Sequence, residues 1–194
     1  MDKTITNIIF SGVGGQGVLV MSDILAIVAM KGNYDVKKSE VHGMAQRGGS
    51  VISHLRFGDK IFSPLIPQGE ADFIVSMEKL EALRVLNFLR PNGIILLNLC
   101  IIPPLGVLTG KEKYPLNIEG SLSERGKVVS IPALEIAKSL GNPRAGNVVM
   151  LGVLSQYLPF SPLLWEEAIK ERFPKKYHSL NLEAFRKGRE FRGK

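Results

Sequence analysis

The 194-residue chain is poor in cysteine, in aromatic side chains and in unbroken apolar runs. Its single cysteine, Cys100, excludes an internal disulfide framework and any zinc or iron–sulfur site drawing four thiolates from this chain. The setting Leu96-Leu97-Asn98-Leu99-Cys100-Ile101-Ile102 points to a buried, inert thiol rather than a nucleophile. The three histidines, His42, His54 and His178, show no metal-ligand spacing, so no metal site is expected. The longest apolar stretches, Val18 to Met30 and Val148 to Leu158, are interrupted by Ser22, Asp23, Ser155 and Gln156. They fall short of the ~20 residues of a bilayer span. Met1 to Thr6 lacks the features of a cleavable leader, and a cytoplasmic location without membrane contact is expected.

What is present fits a single domain over 1–194, 45% hydrophobic and long enough to enclose a full core. The net charge of +7 is unevenly placed: Lys170 to Lys194 holds nine bases against three acids. A basic C-terminal helix is the mark of a solvated face, of a surface for an acidic subunit, or of a nucleic-acid contact. Few aromatics stand among these bases to stack on nucleobases, which weighs against the last of these.

Strand-like runs fall at Ile5–Ser11, Asp35–Ser39, Ser50–Phe57, Asp72–Ser76, Gly93–Asn98 and Lys127–Ser130, with helix-like runs between most of them. Val18 to Met30 is apolar on nearly all sides and is expected to be a buried helix. Leu80, Leu83, Leu86 and Leu89 mark a second helix over Lys79–Leu89 that stops at Arg90-Pro91-Asn92-Gly93. Continuous apolar strands alternating with helices predict an α/β doubly wound, mostly parallel, Rossmann-like sheet with a helical C-terminal region. In that region Pro132 occupies a first helical position, Asn147 caps a helix running to Leu158, Ser161-Pro162 opens another, and the last covers about Leu180 to Phe191. The Pro- and Gly-containing stretch between Asn98 and Lys127 has poor periodicity, and a loop of that length is often functional or mobile.

Between the first strand and the first helix lies Gly12-Val13-Gly14-Gly15-Gln16-Gly17. In a strand–turn–helix context Gly12 permits a tight turn, Gly14 lets the backbone approach an anion, and Gly17 lets helix and strand pack. Gly15 and Gln16 complete a loop whose role is anion binding, or else packing and contact with another chain. The acid that a dinucleotide site places about 20 residues further on is missing, since Asp35 comes at the start of the next strand and Glu40 late in it.

A second segment, Glu40-Val41-His42-Gly43-Met44-Ala45-Gln46-Arg47-Gly48-Gly49-Ser50, gathers His42, Gln46, Arg47, Gly48 and Gly49 beside a strand end, where doubly wound sheets put their ligands. Arg47 offers a fixed cation beside an open backbone, suited to a phosphate, a carboxylate or a partner's backbone. The structural alternative is a tight βαβ crossover with Arg47 in an ion pair. His42 has no catalytic companion in a recognised arrangement, and no catalytic residue is assigned.

Together with Asn147-Val148-Val149-Met150-Leu151-Gly152, these two motifs resemble the gamma-type domain of 2-oxoacid:ferredoxin oxidoreductases, with the His42 to Gly49 wording most similar to the indolepyruvate-type small subunit. The resemblance implies a part in the oxidative decarboxylation of a 2-oxoacid with coenzyme A and ferredoxin. It also implies that thiamine diphosphate and iron–sulfur clusters reside on a larger alpha subunit. This chain has neither a Gly-Asp-Gly signature nor the cysteines for a cluster, so the isolated chain is expected to be inactive. By the resemblance, Gly12, Gly14, Gly15, Gln16 and Gly17 with His42, Gln46, Arg47, Gly48 and Gly49 lie at or near the subunit interface. Two other readings remain: a stand-alone NAD- or FAD-dependent oxidoreductase, and a basic nucleic-acid-binding module. The isolated chain is also a candidate homodimer.

Overall fold

The computed structural model describes residues 5–42 and 49–193, and of His42 the backbone only. Six strands form one sheet in the order β2-β3-β1-β4-β5-β6. They are β1 (Thr6–Val13), β2 (Asp35–His42), β3 (Ser50–Gly58), β4 (Ala71–Ser76), β5 (Leu89–Asn98) and β6 (Lys127–Ile131). β1, β4, β5 and β6 pair in parallel, while β3 pairs antiparallel with both β1 and β2, so β3 alone runs against the rest. Five strands therefore end at one edge of the sheet, and β3 begins there. The mostly parallel α/β arrangement expected from the sequence is present.

Strand alternation sends side chains to two cores. Ile8 and Phe10 of β1 enter a cluster with α1 (Val18–Lys31), α6 (Gly146–Leu154), α7 (Pro162–Arg172) and α8 (His178–Glu190). Ile9, between them, faces the opposite cluster with α2 (Lys79–Arg84) and α4 (Ile118–Ser123). The remaining helices are α3 (Leu105–Leu108) and α5 (Ala133–Ser139). The stretch between Asn98 and Lys127 thus holds two short helices.

Several boundaries differ from the sequence reading. α2 ends at Arg84, a 3-10 turn follows over Leu86–Phe88, and β5 starts at Leu89 instead of Gly93. The Arg90 to Gly93 turn survives as an interruption within β5: the β4–β5 register shifts between Ala71 and Phe73, and Asn92 takes φ 61°. Pro132 is the residue before α5, and Asn147 lies inside α6, whose N-cap is Ala145. The most buried helix is α6, all nine of whose residues are buried, whereas α1 buries seven along one stripe. α6 is wedged between the sheet and α8, which leaves it no solvent face.

The α6–α8 crossing depends on two glycines. A Cβ on Gly152 would lie 2.2 Å from the Phe185 carbonyl oxygen, and one on Gly188 would lie 2.1 Å from that of Val149. Both obstacles are backbone and cannot swing aside. Gly152→Ala and Gly188→Ala should each destabilise by about 1–3 kcal/mol or more, read as a lower denaturant midpoint.

At the opposite edge, the connection from β3 to β4 is anchored by buried His54, whose Nδ1 accepts the Ile66 amide hydrogen at 3.1 Å. Burial pushes the His54 pKa below its ordinary value, and protonation of Nδ1 would break the bond. The unfolded chain therefore binds the proton first as pH falls. The contribution of His54 is fully present above about pH 6.5 and is lost progressively below it. Stability measured against pH should lose that part of its slope in His54→Gln.

Candidate functional site

The edge where five strands end and β3 begins brings together motifs separated by up to 130 residues. The Gly14 amide donates to the Gly49 carbonyl at 2.8 Å, joining the glycine loop to the end of the second motif. The Asn147 amide nitrogen Nδ2 reaches the Gly17 carbonyl at 3.4 Å, joining the third. Because β2 and β3 are antiparallel neighbours, the second motif is a hairpin connection and not a βαβ crossover. Gln46, Arg47, Gly48 and the His42 side chain lie outside the described residues.

The glycines have distinct causes. Gly15 has φ 101° with open space around it, so it is needed for conformation alone. At Gly12 a Cβ would come within 2.8 Å of Val18 and 3.0 Å of Met77. Gly17 has φ 79°, and a Cβ there would lie 2.3 Å from Asn147, so its close approach is to α6 and not to a strand. Gln16 closes the loop from within: its Oε1 accepts the Val13 amide at 2.8 Å, and its Nε2 donates to the Met77 carbonyl at 3.0 Å. With the Gln16 amide bound to the Val13 carbonyl, the donors of Val13, Gly14 and Gln16 are all engaged by the protein. A loop so occupied fits packing and contact better than a phosphate cradle.

The ribose acid is absent from this edge. Asp35 starts β2 at the far end of the sheet, where it accepts the Ile61 amide and pairs with Lys37, while Glu40 pairs with Lys38. Five of the nine C-terminal bases are engaged by side chains of the protein itself. Arg186 binds Glu166, Lys187 binds Glu190, Arg172 binds Asp23, Arg189 binds the Ser155 hydroxyl and Arg192 binds Gln156. Neither the dinucleotide reading nor the nucleic-acid reading is favoured by this geometry.

Sequence reasoning missed the junction at Met77 and Glu78, just beyond β4. The Met77 carbonyl receives Gln16 and also Asn98 Nδ2, at 3.0 Å. The Glu78 carboxylate, 1% exposed, accepts three donors: the Glu81 amide at 2.9 Å, the Ile102 amide at 3.1 Å and the Tyr114 hydroxyl at 2.8 Å. It caps α2 and holds both ends of the 102–114 excursion. Burial, and then the Glu78 carboxylate, raise the Tyr114 pKa, so the phenol remains the donor. Beside it, burial raises the carboxyl pKa of Glu81, which the Ser50 hydroxyl and Arg84 partly oppose. The available signal was a pair of acids three residues apart, Glu78 and Glu81, beginning two residues past a strand at the ligand-bearing edge of the sheet.

An open cleft of about 370 Å³ lies between the glycine loop, the end of β5 and the start of α6. Gln16, Asn98, Cys100, Ile102, Arg144 and Asn147 line it, and its size falls in the small-ligand range. Asn98 Oδ1 is buried without a hydrogen-bond partner among the described residues. Cys100 is half-buried here, not enclosed as expected, because it sits just past the strand end; burial raises its thiol pKa. Among the described residues no group of three or more His, Cys, Asp and Glu side chains is placed to hold a metal ion, and no helix is long and apolar enough to cross a membrane.

Gln16→Ala leaves the Val13 amide and the Met77 carbonyl short of a partner. It should cost about 1–3 kcal/mol and speed hydrogen exchange at the Val13 amide.

Residues 7–191 match the family model described as pyruvate ferredoxin/flavodoxin oxidoreductase. The chain is 44% identical over 187 residues to "Indolepyruvate oxidoreductase subunit IorB" of Archaeoglobus fulgidus, covering 94% of this chain and 92% of that one. It is 30% identical over 149 residues to "Ketoisovalerate oxidoreductase subunit VorA" of Methanothermobacter marburgensis, covering 74% of this chain but 27% of the relative. Among solved structures, the gamma subunit of a keto/oxoacid ferredoxin oxidoreductase from Geobacter sulfurreducens superposes with a TM-score of 0.71 at 23% identity, over 95% of this chain and 96% of that one. A 2-oxoglutarate:ferredoxin oxidoreductase from Magnetococcus marinus, solved with 2-oxoglutarate, coenzyme A and succinyl-CoA bound, gives 0.75 at 22% identity, over 97% of this chain and 31% of that one.

Proposed function

This chain belongs to the pyruvate ferredoxin/flavodoxin oxidoreductase family, and on that premise we propose that it is the small subunit, without a redox cofactor of its own, of an enzyme that oxidises aryl pyruvates, indolepyruvate in particular. The complex cleaves the C1–C2 bond of the 2-oxoacid, releases carbon dioxide, joins the acyl carbon to the coenzyme A sulfur with loss of the thiol proton, and passes the two electrons one at a time to oxidised ferredoxin. Thiamine diphosphate and iron–sulfur clusters belong to the larger alpha subunit. They do not fit this chain, which has one cysteine and no Gly-Asp-Gly run. The role left to this chain is to bind and orient.

The observation that carries this reading is the meeting of the three motifs at one sheet edge, through the Gly14–Gly49 and Asn147–Gly17 contacts, beside the cleft. In the proposed assembly Gly12, Gly14, Gly15, Gln16 and Gly17 support an interface formed with His42, Gln46, Arg47, Gly48 and Gly49. Arg47 meets an anionic group of coenzyme A or of the substrate. Coenzyme A is the natural occupant of an open, mostly apolar cleft with a cation, Arg144, on its wall. The whole chain acts as one domain in this role, in the cytoplasm.

Anaerobic affinity purification of the chain from its native cell should recover a larger subunit containing thiamine diphosphate and iron–sulfur clusters, with ferredoxin reduction dependent on an aryl pyruvate and coenzyme A. Recovery of the chain alone, binding NAD or FAD by itself, would overturn the proposal. In the assembled enzyme Arg47→Ala should raise the KM for coenzyme A or for the 2-oxoacid about tenfold, the loss of one charged hydrogen bond. Unchanged constants would remove Arg47 from the site.

A further inference from the structure

The residues that follow β5 expose an unusual amount of apolar surface. Within 99–116, Leu99, Ile101, Ile102, Leu105, Leu108 and Leu116 all stand in solvent, with Leu105 75%, Leu108 69% and Leu116 92% exposed. The only charges in this stretch are Lys111, Glu112 and Lys113. Isolated exposed leucines need no explanation, but a run of six held in place does. This run is held in place, because the buried Glu78 carboxylate binds the Ile102 amide and the Tyr114 hydroxyl.

We propose that this apolar rim is the docking surface for the larger subunit, and that docking supplies the missing wall of the cleft. The inference rests on the subunit reading above and adds to it the face and the chemistry of contact. Three observations identify the occupant. First, the six exposed apolar side chains outnumber the charged ones, Lys111, Glu112 and Lys113, which sit together with a net charge of only +1, so the rim suits an apolar polypeptide face rather than an acidic or polyanionic one. Second, the rim is continuous with the cleft: Ile102 belongs to both, and Cys100 of the cleft lies between Leu99 and Ile101. A body seated on the rim therefore borders the cleft, which is open on this structure. Third, in the ketoisovalerate oxidoreductase subunit VorA the region matched by this chain makes up 27% of the polypeptide, so there this module is already joined to a body several times its size. A second exposed apolar pair, Phe62 at 85% and Leu65 at 55%, lies in the β3–β4 connection at the opposite edge of the sheet, away from every motif, and is a built-in comparison.

The test uses the complex recovered by affinity purification. Leu105→Lys combined with Leu108→Lys should lower recovery of the larger subunit at least tenfold. Phe62→Lys combined with Leu65→Lys should recover it as the unmodified chain does. The altered leucines are exposed, so the variant should keep the thermal midpoint of the unmodified chain, and that measurement separates lost docking from lost folding. In the unmodified complex, maleimide labelling of Cys100, the only cysteine of this chain and identified by peptide mass, should be at least tenfold slower than in the free chain. Full recovery with the rim variant, or equal labelling rates in complex and free chain, overturns the docking surface while leaving the subunit reading intact. If the unmodified chain recovers no larger subunit, both fall.

Discussion

The corner formed by Met77 and Glu78 is the constraint on which the candidate site depends. A strand ends there in a parallel sheet, leaving a carbonyl and a buried carboxylate at the place where four chain segments converge. The Met77 carbonyl takes two side-chain amides, one from the glycine loop and one from the end of β5. Glu78 takes a helix N-terminus, a backbone amide and a phenol. Ser11 of β1 donates to Ser76, and Ser76 donates in turn to the Glu78 carbonyl, so the neighbouring strand is bound into the same network. A buried carboxylate is costly unless its lone pairs are met, and here three donors meet them. The arrangement fixes the floor of the cleft and the root of the apolar rim together.

The remainder of the fold supports that corner from behind. α6, packed to within backbone contact of α8 through Gly152 and Gly188, carries Asn147 at its first turn and so sets the distance from the helix to Gly17. Placing a cleft at the carboxyl ends of the parallel strands follows the general rule for open α/β sheets. What departs from a nucleotide-binding domain is the filling of the glycine loop by Gln16 and the position of Asp35 at the wrong end of its strand. A loop whose donors and acceptors are met from within offers a preorganised surface, which lowers the ordering cost of any contact made there.

Much of this was legible in the residues. The alternation of apolar strand-like and helix-like runs located all six strands, four of them within two residues of their observed limits, because half-buried strands and buried helices leave different periodicities. The motifs carried the family because their wording is specific in order and spacing. Boundaries around Leu86 to Gly93 were misplaced, since leucines three apart suit a helix while the local pairing with β4 favoured an early, interrupted strand. Cys100 read as enclosed from its apolar neighbours, yet the strand ends two residues before it and the chain turns outward. The second motif read as a ligand loop or a tight βαβ crossover, and the antiparallel pairing of β2 with β3 makes the connection a hairpin rather than a crossover.

By itself the amino-acid sequence determined the α/β class, the succession of strands and helices, the single cysteine that leaves no four-thiolate site, and the family. These rest on local periodicity and on residue types at short spacing, which any window of the chain reveals. Only the tertiary structure decided that Gly14 meets Gly49, that Asn147 meets Gly17, and that Glu78 gathers Ile102 and Tyr114. Such contacts join residues 24 to 130 positions apart. They arise from strand order in the sheet, which depends on how the two faces bury their apolar surface and leaves no periodic trace in the chain.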